Sequence, residues 1–193
     1  MIEVLQSKIP EIHKSVRDIA LGKKPVTEWG SLVINRRKPH TYRVFRQFGE
    51  HRVCLHRFEP CSEEEAFPHP HPWPGAFLLL QGEYIHTVGG SADLESKPEF
   101  YIREIVRPYS MYEIINPKTW HRVQPLKTTY TVMLNSEPWD EQHNETRTTK
   151  GKDLDSMDEG SLFKHFVHFE NMLHLYKAKH PKGLSLEESP QEN

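Results

Sequence analysis

Between Phe67 and Tyr84 the chain reads FPHPHPWPGAFLLLQGEY. His69 and His71 are the residues in this stretch with chemistry to offer. In an extended strand, residues i and i+2 point to the same side, so the two imidazoles project in parallel and can grip one ion. Pro68, Pro70, Pro72 and Pro74 take the alternate positions. Proline donates no ladder hydrogen bond, which predicts a place at a sheet edge or rim. Its fixed φ also stiffens the pair and lowers the ordering cost of capturing an ion. Two imidazoles seldom hold a metal alone, and the best third candidate is His121, which opens a new strand behind the turn at Asn116-Pro117. The chain carries 13 histidines, and histidine is the commonest metal ligand. His56 and His86 sit mid-strand and read as packed or rim residues, although His86 could line a site. His165, His168 and His174 fall on a C-terminal helix, where His165 and His168, at i,i+3, read as a solvated face.

The elements that must position these residues fall into three zones. Residues 1–26 form an N-terminal helical segment. Its helix runs from Pro10 to Leu21, with Ile12, Val16, Ile19 and Ala20 on one apolar face, Pro10 in the first turn and Gly22 at the stop. Residues 27–138 are strand country. Nine short runs rich in Val, Ile, Tyr, Phe and Thr alternate with turn residues and have no helix between them, which predicts an antiparallel sandwich or barrel. Residues 139–160 read as an exposed polar linker. Residues 161–181 make a second amphipathic helix, marked by Leu162, Phe163, Phe166, Phe169, Leu173 and Tyr176, and 182–193 read as a disordered tail.

Composition narrows the function. The 193 residues hold 27 acidic and 25 basic side chains, a net charge of −2. Such a balance gives no global field for nucleic acid or an acidic membrane. No apolar run is long enough to span a bilayer, and the start lacks a signal-peptide layout. Cys54 and Cys61 do not make a CxxC pair. A reducing, cytoplasmic setting is the expectation, with Cys54 a packed thiol beside His56. The basic run Arg36-Arg37-Lys38 is too short to argue for nucleic acid. There is no phosphate-binding loop and no nucleophile elbow.

His69-Pro-His71, followed by Gly82, resembles the first motif of the cupin superfamily, and Pro117-Lys-Thr-Trp-His121 resembles the second. The resemblance covers roughly residues 40 to 136 and implies an all-β fold, a cupin-type jelly-roll β-barrel with flanking N- and C-terminal helices, and a metal held in one mouth by His69, His71 and His121. The motif's carboxylate ligand is Gly75 here. A set of three neutral imidazoles leaves a divalent ion its full charge, which favours an anionic substrate. Trp73 and Trp120 flank the ligands and either wall the pocket or pack at the rim.

Within cupins the chain resembles thiol dioxygenases of the cysteine dioxygenase type, through AFLLLQGEY and TWHRVQPLKTTYTVMLNSEPW. That resemblance implies Fe(II), with Zn, Ni or Mn as alternatives, and a small-molecule substrate together with O₂. It puts Arg43 at the place of a carboxylate clamp, although strand parity groups Tyr42, Val44 and Phe48 on the buried face and turns Arg43 outward, leaving Arg46 inward. The family's cross-linking Cys and Tyr and its relay His would fall at Ala76, near Asn135 and near Met133, none of which carries the family's group. Tyr84, His86, Tyr112 and Tyr130 could handle protons instead, with no choice among them from parity. The resemblance is also compatible with a homodimer. The reading is therefore a non-heme iron dioxygenase acting on a small thiol- or carboxylate-bearing substrate. The alternatives are a metal-dependent isomerase, lyase or hydrolase of the same fold, and a non-catalytic ligand-binding cupin.

Overall fold

The computed structural model describes residues 1–91, 98–139 and 154–181. Most of the expected linker and the whole of the expected tail lie outside the described residues.

The first helix, α1, runs Ile2–Ala20 and starts eight residues ahead of its expected Pro10 start. Pro10 lies inside it and removes the hydrogen bond to the Gln6 carbonyl. An interior proline costs about 3 kcal/mol. Leu5 and Ile9 are fully buried, and at about 1.5–3 kcal/mol each their burial offsets that cost. The stripe Leu5, Ile9, Ile12, Val16 and Ile19 therefore sets the helix length, not the proline. Gly22 ends the helix with φ +68°, its N–H donating to the Ile19 carbonyl at 2.8 Å.

Among the described residues ten strands follow, one more than expected: β1 Gly30–Ile34, β2 Thr41–Phe48, β3 His51–Phe58, β4 His69–Pro70, β5 Gly75–Gln81, β6 Tyr84–Gly90, β7 Glu99–Val106, β8 Met111–Ile114, β9 Thr119–Pro125 and β10 Thr129–Asn135. All strand pairs are antiparallel. They make two sheets, ordered β1-β2-β3-β10-β5-β8 and β4-β9-β6-β7. This is a two-sheet antiparallel barrel of jelly-roll type, with one helix before the strands and one after them. The proline-laced β4 lies at an edge of the smaller sheet, where its missing donors cost least.

Gly82 carries the chain from one sheet to the other at φ +94°. A Cβ there would run into the Thr129 hydroxyl and meet the Thr128 carbonyl at 2.7 Å, so this turn tolerates only glycine.

The larger sheet is covered on both faces. One face packs Val44, Leu55, Leu78, Val132 and Leu134 against α1 and against the second helix, α2, Glu159–Lys179. The other turns Phe45, Cys54, Phe77 and Met133 into the barrel. Double coverage explains why β5 reads as a continuous apolar run and why β10 is buried along its whole length. It also corrects the parity argument on β2. Val44 and Phe48 face the helices, and Arg46 goes with them, ion-paired to Glu28 at 2.6 Å. Arg43 has the opposite parity and faces the barrel interior.

In α2, Asp158 caps the N-terminus, accepting from the Ser161 N–H at 2.8 Å. Leu162, Phe166, Phe169, Leu173 and Tyr176 are buried, whereas Phe163 is exposed. The sequence places His165 on a solvated face. It is 4 % exposed, with its ring 4.8 Å from that of Phe169, because it shares the stripe of Leu162 and Phe169. The described end of the expected linker is not free either: the Val33 N–H donates to the Asp155 carbonyl at 2.7 Å.

Candidate metal centre and its cavity

The short strand β4 pairs with β9 so that His69 lies directly opposite His121. The proline rhythm puts His71 on the same side as His69. The three Nε2 atoms therefore converge, with His71 to His121 at 2.8 Å and His121 to His69 at 3.1 Å. His71 and His121 are buried and His69 is half-buried.

The hydrogen bonds behind the rings set their tautomers. His69 Nδ1 lies 3.1 Å from the Phe67 carbonyl, which can only accept, so Nδ1 carries the proton and Nε2 presents a lone pair. His121 Nδ1 lies 3.0 Å from His86 Nε2. With the proton on His121 Nδ1, His86 accepts at Nε2 and carries its own proton on Nδ1, which faces Glu104 at 3.6 Å. Burial pushes His86 down to about 4, so it is neutral near pH 7. His86 thus stands behind the cluster and orients its central ring, as a hydrogen-bond partner behind a metal-ligating histidine does.

A single proton on His121 Nε2 could satisfy only one of its two neighbours. One cation accepts three lone pairs at once. Around an ion about 2.1 Å from each nitrogen, ligand separations are about 3.0 Å for adjacent octahedral positions and about 3.4 Å for tetrahedral ones. The two observed separations lie nearer the octahedral value. Three neutral nitrogens suit iron, cobalt, nickel or zinc and not calcium or magnesium.

The cluster borders a cavity of about 660 Å³. Arg36, Arg37, Lys38 and Arg43 line it, and no carboxylate does so among the described residues. Arg43 donates from Nε to His56 Nε2 at 2.9 Å. Burial first, then Arg43 and His165, hold His56 well below its ordinary value, so this histidine is a neutral acceptor that steers the guanidinium. On the opposite wall the Tyr84 hydroxyl donates to that of Tyr112 at 2.8 Å. Burial raises both phenols, so each remains protonated.

Of the residues singled out in the sequence, His69, His71 and His121 come together, Arg43 and Tyr84 line their cavity, and His86 stands behind His121. Tyr130 does not join them: it faces the helices, with its ring 5.7 Å from that of Phe169. Ala76 likewise faces the helix-side core, while Met133 lines the cavity. Trp73 packs beside Phe77 and Cys54 and, like Trp120, does not line the cavity. The basic run 36–38, too short to argue for nucleic acid, lines the cavity; a short cationic segment carries no address until the fold supplies one. Trp139 was also missed: it ties the chain to the site by donating to the His71 carbonyl at 3.1 Å.

No family model matches the sequence, and no curated protein matches it. Among solved structures the chain is similar to hydroxypropylphosphonic acid epoxidase from S. wedmorenis, at 10 % identity and a TM-score of 0.45, over 58 % of this chain and 57 % of that one. It is similar to the Fe(II) form of HppE at the same identity and TM-score, over 58 % of each chain. It is also similar to a conserved protein of unknown function from Streptococcus pyogenes, at 10 % identity and a TM-score of 0.39, over 54 % of this chain and 80 % of that one. The matched part of the epoxidase is thus little more than half its length. The fold assignment rests on the strand order above, and the functional reading rests on the site.

Proposed function

We propose that the chain is an iron(II)-dependent oxidoreductase, a dioxygenase, that acts on a small substrate bearing an anionic group. The observation that carries this reading is the meeting of three imidazole Nε2 atoms, with no carboxylate among them, at the wall of a cavity lined by four cationic side chains. A carboxylate ligand would cancel part of the ion's charge. With three neutral ligands the ion keeps +2, and the substrate's anionic group can supply the compensation. Bound iron(II) would supply Lewis acidity, one-electron chemistry towards O₂ and a template for both reactants.

The chain's own residues do the rest. Arg43 presents its terminal nitrogens to a carboxylate as a planar fork, while its Nε bond to His56 fixes the plane of that fork. Arg36, Arg37 and Lys38 raise the local concentration of anions at the entrance, although Lys38 is already paired with Glu65 at 2.6 Å. The hydroxyl of Tyr112 accepts from Tyr84 and so turns its own hydrogen away from that bond, able to donate to a substrate oxygen or sulfur. With raised phenol values, the pair acts as donor and positioner and not as a base. His86 keeps the ring of His121 aimed.

Anaerobic reconstitution with Fe(II), followed by O₂-electrode assays over a panel of small thiols and carboxylic acids, tests the reading. Stoichiometric O₂ uptake with one of these classes is the expected result. Protein that keeps zinc as isolated and consumes no O₂ after iron loading contradicts it.

A further inference from the structure

We propose that the protein carries a second metal site, for a zinc-class divalent ion, held by His13 of α1 with Glu170 and His174 of α2. The ligand atoms of these three side chains all lie within 4.8 Å of one another. The site is on the helix-covered face of the larger sheet and shares no residue with the barrel cavity.

Residues four apart on a helix stack on one face. Glu170 and His174 therefore point together, and the packing of α1 on α2 brings His13 to them. His13 Nε2 lies 3.6 Å from a Glu170 carboxylate oxygen, too far for a hydrogen bond. His13 is 6 % exposed, and its buried Nε2 has no hydrogen-bond partner among the described residues. A buried polar atom left without a partner is costly, and this one points at a carboxylate and a second imidazole. The ammonium of Lys177 also lies near enough to His13 to act on its charge.

Two imidazoles and one carboxylate form a common zinc donor set, with water as the fourth ligand. Tetrahedral ligands about 2.1 Å from an ion lie about 3.4 Å apart. The buried His13 is fixed, whereas Glu170 is half-exposed and His174 exposed, so the two helix-α2 side chains can close the remaining gap by rotation. An ion there would join the N-terminal helix to the C-terminal one across their shared core. Lys177, the cation beside His13, opposes binding, which gives the site a distinctive sensitivity to that residue.

The test is a zinc titration against a chromophoric chelator, using the full chain with His69→Ala and His71→Ala so that the barrel keeps one of its three ligands, His121. One equivalent of zinc is expected to remain bound. Adding the exposed-site change His174→Ala should weaken that binding by at least about tenfold, and Lys177→Gln should tighten it severalfold. Saturating zinc should raise the thermal midpoint by about 5 °C in the His174 protein and not in the His174→Ala protein. If the doubly substituted chain does not fold, the same titration on the wild-type chain should give two equivalents, and His174→Ala alone should give one. Zinc binding unchanged by His174→Ala, or no zinc bound beyond the barrel site, overturns the proposal.

Discussion

His86 separates the two jobs a histidine can do beside a metal. It does not line the cavity and lies 3.0 Å behind His121, where it holds a tautomer and a ring plane. His86→Phe should therefore weaken Fe(II) binding by about 10–100-fold without abolishing it, as read by chelator competition. His69→Ala should abolish it. Equal affinity in the His86→Phe and wild-type proteins would remove His86 from the account. Arg43 makes a complementary case. Its Nε is committed to His56, so only an arginine can hold that bond and present a fork at the same time. Arg43→Lys should raise KM for the anionic substrate by about tenfold or more while iron content stays at one per chain. A changed iron content with unchanged KM would mean that Arg43 supports the barrel and not the substrate.

At the scale of the elements, the edge strand β4 and the turn at Gly82 put the ligands in place. Gly82→Ala forces a Cβ onto the Thr128 carbonyl and the Thr129 hydroxyl in a backbone conformation that disfavours side chains. It should destabilise the chain by about 2–4 kcal/mol in urea unfolding; a loss below 0.5 kcal/mol, about the size of an ordinary surface change, would show that the turn can relax. Strand existence was readable from periodicity and turn residues, and so was the placing of a proline-rich strand at an edge. The start of α1 was not, because a proline that usually opens a helix here sits inside one, overruled by the burial of Leu5 and Ile9. The side chosen for Arg43 was misread for a related reason. Strand parity separates two faces but cannot say which is the barrel interior when helices bury the other one.

Across the whole molecule, the convergence of His69, His71 and His121 was legible from an HxH pair and a histidine after a proline turn. The cationic lining was not, because Arg36, Arg37 and Lys38 reach the cavity from the segment joining β1 to β2, which no local pattern connects to the histidines. The buried histidines also shape global stability. Burial holds His165 at about 4 against an ordinary value of 6.5. Between these values the unfolded chain binds a proton that the folded chain does not, so stability falls as pH drops from about 6.5 towards 4, by about 3 kcal/mol for this group. His56, lowered in the same direction, adds to the slope. His165→Leu should flatten the pH dependence of urea midpoints in this window, whereas an unchanged slope would show that His165 is protonated in the folded protein.

The central claim is that one ion is held jointly by His69, His71 and His121. The most direct measurement is an anaerobic Fe(II) titration of the chain carrying His174→Ala, so that only the barrel site contributes, repeated with His121→Ala added. The account predicts one equivalent of iron in the first protein and less than a tenth of that occupancy in the second. Equal iron binding by the two would contradict it.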